Sequence, residues 1–221
     1  MIHMSAYHQL LSHIHSSGAR LVAVSKTRSS SDIMALYGAG QRIFGENRVE
    51  ELKEKHEALP QDIEWHMIGH LQSKKVKVIA SFIAMIHSGD SPRLLMEIEK
   101  RAAQSNRVID VLLQFKIAEE ATKYGMTLEE AEEFLISLQH SPLPHVRLCG
   151  VMGMATFTEN TDQIRREFQS LQSIFSTLKS KFFSNSPHFR EISMGMSGDY
   201  PIALEEGSTM VRVGSLLFGT R

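Results

Sequence analysis

Short apolar runs alternate with amphipathic stretches along almost the whole chain, and this alternation predicts strands that alternate with helices. The first run, over 20–26, is built of apolar and small residues and ends on Lys26, as in a strand buried on both faces. The clearest helical period, in steps of four and three, places Ile164, Phe168 and Leu171 on one face. The predicted strands cover 20–26, 42–45, 63–68, 82–87, 108–115, 146–152, 190–194 and 210–213.

Helix start signals stand where this alternation needs them. Ser91 followed by Pro92 is typical of a capped first turn, and Thr127 with Glu130 matches a capping box. Strand–helix alternation implies a parallel sheet, and eight units without a linker favour a closed barrel. The sequence therefore predicts an α/β protein whose residues 1–221 form a single (β/α)8 TIM barrel. An open doubly wound sheet is the alternative.

Composition narrows the classes of partner. The chain has 221 residues, a formal net charge of -1 and a single cysteine. The near-neutral charge argues against nucleic acid as the main partner, and the lone Cys149 indicates core packing in a reducing compartment. Neither a signal peptide nor an apolar run of the roughly 18 residues that a membrane helix requires is found in the sequence. A cytoplasmic protein with no membrane association is expected.

Lys26 is the first candidate for chemistry. At the end of a buried strand its stem would lie in a core and its amine at the rim, and such a setting is expected to lower the pKa of the amine. A neutral amine can attack a carbonyl group and form a Schiff base. In a barrel of this type the active site lies at the carboxyl ends of the strands, where Lys26 is placed.

The ends of the last two strands resemble a phosphate cradle. Strand 7 runs through Ser193 and Met194 into a glycine-rich and serine-rich turn with Ser197, and strand 8 leads into Gly214 and Ser215. Glycines allow close approach to the backbone, and free amides with hydroxyls suit a phosphate. Arg212 lies between the two valines of strand 8. A lysine amine, a phosphate cradle and an arginine together suit pyridoxal 5'-phosphate (PLP), whose ring nitrogen would face Arg212.

Five stretches together resemble the YggS/PROSC family, the pyridoxal phosphate homeostasis proteins. They are Ala23-Val24-Ser25-Lys26-Thr27, Phe44-Gly45-Glu46-Asn47, Trp65-His66-Met67-Ile68-Gly69 with 71–74, 193–199, and 207–214 with 218–219. The resemblance implies a barrel similar to the N-terminal domain of alanine racemase and a protein that binds and buffers PLP without an established catalytic activity.

The same resemblance implies the roles of individual residues. Lys26 would form the Schiff base, Asn47 would lie close to the cofactor, and Arg212 would meet the ring nitrogen. The phosphate would be held by Ser193, Ser197, Gly214 and Ser215. Met194 and His66 are expected in or beside the same cofactor site. His70, Lys75 and 152–155 depart from the family's usual pattern, and 152–155 could alter the wall near the ring.

Two other functions stay open. An amino-acid racemase would need a second acid or base facing Lys26. In alanine racemase that group is a tyrosine of a separate domain, which this chain is not expected to carry, and Tyr200 is the one tyrosine in a suitable place to substitute for it. A cofactor-free aldolase would use Lys26 and hold a substrate phosphate. His66 and His70 do not predict a metal pair, because they span a strand end and a glycine. The expected partners are PLP and apo forms of PLP enzymes, and a monomer is expected.

Overall fold

The computed structural model describes residues 4–119 and 124–219. Within these ranges eight parallel strands pair in chain order and close into a barrel, β1 to β8. The strands are β1 Arg20–Val24, β2 Ile43–Glu46, β3 Glu64–Met67, β4 Met85–Gly89, β5 Ile109–Gln114, β6 Val146–Met152, β7 Glu191–Ser193 and β8 Met210–Val213. The predicted (β/α)8 barrel is confirmed, and the open sheet is wrong because β1 pairs with β8.

Helices surround the barrel, and one of them precedes β1 while the others follow the strands. They are α1 Met4–Ser16, α2 Ser30–Gly38, α3 Val49–Ala58, α4 Val76–Ile79, α5 Pro92–Gln104, α6 Leu128–Ser137, α7 Thr161–Phe182, α8 Tyr200–Glu205 and α9 Ser215–Phe218, with a 3-10 turn at Ser73–Lys75. Local signals start α5 and α6 as predicted. The Ser91 side chain accepts from the Leu94 amide ahead of Pro92, and Thr127 with Glu130 makes both hydrogen bonds of a capping box.

Alternation along the strands separates two apolar cores. Leu21 and Ala23 of β1 belong to the large core between strands and helices, whereas Val22 belongs to a small core inside the barrel. Five other buried residues share the inner core: Met85, Leu112, Cys149, Met152 and Met210. Burial raises the pKa of the Cys149 thiol to about 12. Cys149 therefore packs as an uncharged side chain, in line with its assignment to the core.

Most strand ends lie within one residue of the predicted ones, whereas the end of β1 and both ends of β4 differ by two or three residues. The amides of Phe82 and Ile83 bond back to the Ile79 carbonyl, so the chain is still turning there and β4 begins at Met85. β1 ends at Val24, so Lys26 lies in the turn that follows the strand. None of the described helices is long and apolar enough to cross a membrane.

Candidate cofactor site

A cavity of about 620 Å³ opens at the carboxyl ends of the strands. Its polar lining includes Lys26 and Asn47 after β1 and β2, Arg212 from β8, and the serine-glycine turns after β7 and β8. Its lining residues are Val24, Lys26, Asn47, Ile68, Met154, Ala155, Thr156, Phe157, Thr158, Ile164, Met196, Ser197, Gly198, Asp199, Arg212, Gly214, Ser215 and Leu216. The cavity combines an amine, a guanidinium group and a cradle of hydroxyls and glycines between apolar walls.

Lys26 reaches this cavity as an exposed side chain. The expectation that its stem is buried is wrong, because the strand ends two residues earlier and the chain has already turned outward. Its amine is accessible to a ligand at the open end of the barrel. A carbonyl compound can therefore meet the amine without any displacement of the strands.

A buried ionic cluster holds the backbone on both sides of Lys26. The Ser25 hydroxyl donates to Glu46 Oε1 at 2.6 Å. Lys55 Nζ donates to the Ser25 carbonyl, to Glu46 Oε1 and to Glu51 Oε1, each at 2.7 Å. The Thr27 amide donates to that same Glu51 oxygen. The strand end, the turn and helix α3 are thus tied together around Lys26.

The electrostatics of this cluster depend on Lys55. Burial raises the pKa of the Glu46 carboxyl, and the charge and hydrogen bond of Lys55 oppose that rise. Glu46 Oε2 has no hydrogen-bond partner among the described residues. A carboxyl group this enclosed remains tolerable because a cation lies directly against it.

The cradle is formed by the turns after β7 and β8. The Gly214 amide donates to Ser197 Oγ at 3.3 Å, which links the two turns. The chain turns at Gly195, whose φ of +92° is one that side-chain-bearing residues rarely adopt, and a Cβ there would lie 2.5 Å from the Ala203 Cβ. The Met196 amide donates to Asp199 Oδ1 at 2.5 Å and fixes the turn's far side.

Arg212 points into the barrel and forms part of the cavity floor. Its register partner on β1 is Val22, a residue of the inner core, and only 4% of Arg212 is exposed. One terminal nitrogen donates to Ser193 Oγ at 2.5 Å and the other donates to the Gly153 carbonyl at 3.0 Å. Burial lowers the pKa of Arg212 to about 10, partly offset by Asp199, so the group stays cationic at neutral pH.

The loop after β6 forms the remaining wall and is anchored from helix α7. The Thr156 amide and hydroxyl donate to the two oxygens of Glu167 at 2.6 and 2.7 Å. Burial alone would raise the pKa of Glu167, but the hydrogen bonds that it accepts leave that pKa below its usual value. The neighbouring Phe157 ring is 98% exposed at the mouth of the cavity.

Known proteins are similar to this chain in sequence and in fold. The family model of the alanine racemase N-terminal domain matches residues 5–221. A pyridoxal phosphate homeostasis protein of Aquifex aeolicus is 41% identical over 205 residues, which is 92% of this chain and 87% of that protein. The chain belongs to the pyridoxal phosphate homeostasis protein family.

Solved structures agree with this family assignment. PipY of Synechococcus elongatus, a COG0325 family member, is 33% identical and covers 97% of this chain and 99% of its own. Its structures without and with PLP superpose on this chain with TM-scores of 0.89 and 0.86, respectively. Alanine racemase of Bartonella henselae, at 17% identity and TM-score 0.72, shares the fold over 97% of this chain and 57% of its own.

Six of the nine residues that the sequence assigns to the site line the cavity of this family member. They are Lys26, Asn47, Ser197, Arg212, Gly214 and Ser215. Asn47 owes its place to Gly69, where a Cβ would lie 2.5 Å from the Asn47 carbonyl oxygen. The chain after β2 can approach β3 this closely only because residue 69 has no side chain.

The other three residues do not line the cavity. Ser193, assigned to the phosphate, is fully buried below the cavity floor, because the last residue of β7 faces into the barrel and contacts His87 and Arg212. Met194 belongs to the outer core between strands and helices. His66 lies deeper inside the barrel, with its Nδ1 3.0 Å from His87 Nε2.

Sequence reasoning misses the groups that support the cavity. His87 lies in a run that predicts only an apolar strand, although its alternation with Ile86 already places it on the inner side of that strand. Glu167 and the Glu46–Lys55 pair stand among many other charges on helices and strand ends. A charged residue on the apolar face of an amphipathic helix, as Lys55 is beside Leu52, could have indicated a buried pair.

Proposed function

We propose that this protein binds PLP through Lys26 and takes part in intracellular PLP homeostasis as a carrier or buffer. The observation that carries the proposal is one cavity that unites an accessible lysine amine, a serine-glycine cradle and a buried arginine. PipY, which shares the fold and 33% of its residues, has been solved with PLP bound. When bound, PLP supplies an aldehyde that condenses with a primary amine to form a Schiff base.

The donor set of the cavity fits the two ends of this cofactor. Ser197, Gly214 and Ser215 present hydroxyl and amide groups suited to a phosphate. A Cβ added at Gly214 would lie 3.1 Å from the Val24 carbonyl oxygen, so this backbone is already closely packed against β1. Asn47 and the apolar side chains of Ile68 and Met154 complete the walls.

Arg212 favours storage over catalysis. It is cationic at neutral pH and would donate to the ring nitrogen, which must then remain unprotonated. An unprotonated ring nitrogen withdraws electrons from the substrate carbon less strongly. The arrangement therefore supports a bound, exchangeable cofactor better than it supports carbanion chemistry.

The racemase alternative lacks support from the one tyrosine that could serve it. Tyr200 does not line the cavity, and its hydroxyl lies 3.4 Å from His13 Nδ1 of helix α1, with the two rings in edge contact. A second acid or base opposite Lys26 is needed for two-base racemisation. Tyr200 is turned to the outside of the barrel and is not that group.

The same function implies partners and a location. The recipients would be apo forms of PLP-dependent enzymes, reached by a monomer in the cytoplasm, where a buried and unpaired Cys149 suits a reducing environment. The exposure of Lys26 supports exchange, since a second amine can approach the same carbon without unfolding the site. Sedimentation analysis would test the monomer, with one species at the mass of a single chain expected.

One experiment separates the three functions. The protein is loaded with PLP and freed of excess, then mixed with the apo form of a PLP-dependent enzyme or with an L-amino acid. Restored activity of the recipient, without racemisation above that of Lys26→Ala, is the expected result. Multiple turnovers of racemisation would contradict the carrier function. Failure to take up PLP would contradict it as well and favour the cofactor-free aldolase.

A further inference from the structure

Four polar side chains form a continuous hydrogen-bond chain inside the barrel, below the cavity. His66 Nδ1 lies 3.0 Å from His87 Nε2, and His87 Nδ1 lies 2.9 Å from Ser193 Oγ. Ser193 Oγ in turn accepts from Arg212 at 2.5 Å. The four residues come from β3, β4, β7 and β8, and none is more than 4% exposed.

The direction of every hydrogen bond in this chain follows from its arginine end. A guanidinium group only donates, so Ser193 Oγ accepts from Arg212 and has its own proton left for His87 Nδ1. His87 then carries its proton on Nε2 and donates to His66 Nδ1. The reverse order would bring two donors to Ser193 and leave its proton without an acceptor among the described side chains.

Both histidines must be uncharged for this order to hold. Burial lowers the pKa of His66 to about 3 and that of His87 well below its ordinary value. The second terminal nitrogen of Arg212 is held independently by the Gly153 carbonyl at 3.0 Å. The guanidinium plane is therefore fixed at two points, and one of these points depends on where His87 holds the Ser193 hydroxyl.

We propose that His87 is a positioning residue for the cofactor site, which acts through Ser193 to set the direction in which Arg212 faces the cavity. The inference rests on the proposed function, since Arg212 is taken to meet the PLP ring nitrogen. It assigns Ser193 to the support of the ring end in place of the phosphate end. His66 completes the chain and borders a second cavity of about 180 Å³ at the amino ends of the strands.

Two substitutions at position 87 distinguish the roles of the two imidazole nitrogens of His87. His87→Asn keeps a polar atom two bonds from Cβ, where Nδ1 meets Ser193, whereas His87→Gln keeps one three bonds from Cβ, where Nε2 meets His66. Ser88→Ala is the matched control. Its hydroxyl is buried on the same strand and has no hydrogen-bond partner among the described residues.

PLP affinity and the visible circular dichroism of bound PLP are measured for each variant, with urea unfolding in parallel. His87→Gln is expected to weaken PLP binding about tenfold and to change the dichroism. The reason is that the Ser193 hydroxyl, which accepts from the charged Arg212, is no longer held in place by residue 87. His87→Asn should stay close to the parent protein, as should Ser88→Ala. Rescue by Asn and not by Gln is a pattern that general destabilisation does not produce.

Several outcomes would overturn the proposal. Equal affinity and dichroism in both His87 variants would do so, and so would losses that follow the free energy of unfolding alone. If His87→Gln does not fold, Ser193→Ala removes the same link from the other side and must give the same spectral change. If the parent protein itself fails to bind PLP, the proposed function fails and this inference fails with it, a result distinct from binding that position 87 does not affect.

Discussion

Lys55→Met is the perturbation that best tests how the turn carrying Lys26 is held. The substitution keeps the length and most of the apolar stem of the side chain but removes three hydrogen bonds of 2.7 Å, to Ser25, Glu46 and Glu51. Glu46 then remains as a buried carboxylate without its cation. The loss of the cationic partner of Glu46, and not a loss of packing, should dominate the change in stability.

The size of the expected loss in unfolding free energy follows from the burial of the Lys55–Glu46 pair. Lys55 and Glu46 are 7% and 0% exposed, so water cannot replace the missing partner. Removal of one member of a buried ion pair costs about 3–5 kcal/mol, out of a total unfolding free energy of about 5–15 kcal/mol for a typical domain. We expect a loss of this size at pH 8.

The stability lost in Lys55→Met should be smaller at lower pH. Without Lys55, burial raises the pKa of Glu46 further, because the two largest opposing contributions are gone. A carboxyl whose folded-state pKa lies above its unfolded value of about 4.5 favours the folded state at low pH and loses that contribution as pH rises. The destabilisation at pH 5 should therefore be smaller than at pH 8.

Urea unfolding followed by far-ultraviolet circular dichroism measures these differences. Lys53→Met is the matched control, since Lys53 lies on the same helix in an exposed pair with Glu57 and should contribute less than about 1 kcal/mol. The double variant Glu46→Gln/Lys55→Met should recover much of the loss, because the buried charge is gone. A loss of stability that does not vary with pH, or a double variant whose loss equals the sum of the two single-variant losses, would show that the buried Glu46 charge is not what destabilises Lys55→Met.

Three further predictions concern the cavity and the barrel wall. Arg212→Ala should weaken PLP binding by about 10- to 100-fold without abolishing it, as expected for one hydrogen bond from a charged group, and a titration with PLP measures this. Glu167→Ala should release the loop after β6 and speed chymotrypsin cleavage at Phe157, which limited proteolysis followed by mass spectrometry detects. Gly150→Ala should lower the free energy of unfolding by at least about 3 kcal/mol, because its Cβ would lie 1.8 Å from a carbonyl oxygen of β7.

Each of these has a result that contradicts it. Unchanged affinity after Arg212→Ala would remove the assignment of that side chain to the cofactor. An unchanged cleavage rate after Glu167→Ala would mean that Thr156 does not depend on its carboxylate. Cooperative unfolding of Gly150→Ala at the parent's denaturant midpoint would show that β6 can separate from β7 at this register position.

The barrel and much of its cavity are predictable because they depend on local pattern. Runs of apolar residues mark the strands, and the carboxyl ends of parallel strands necessarily meet at one end of a closed barrel. Lys26, Asn47 and Gly214 each follow a strand, so their convergence follows from strand order alone. Arg212 is similarly placed by its alternation with Val211 and Val213, which belong to the outer core.

The supporting groups depend on register and closure, which local pattern does not contain. Ser193 and His87 are 106 residues apart and meet only because β7 and β4 face each other across the barrel interior. Whether the last inward residue of β7 reaches the cavity or lies beneath it depends on the shift between neighbouring strands. The exposure of Lys26 escapes prediction for a related reason, since two residues beyond the strand are enough to turn a side chain out of the core.

We propose that Lys26 anchors PLP, and borohydride trapping is the direct test of this claim. The protein is incubated with PLP, reduced, digested and mapped by mass spectrometry, beside Lys26→Ala and Lys100→Ala, which removes an exposed lysine on helix α5. We predict a visible absorption band that disappears on reduction and a pyridoxyl label on Lys26, unchanged in Lys100→Ala and missing in Lys26→Ala. A label that persists in Lys26→Ala, or parent protein that stays colourless with added PLP, would contradict the claim.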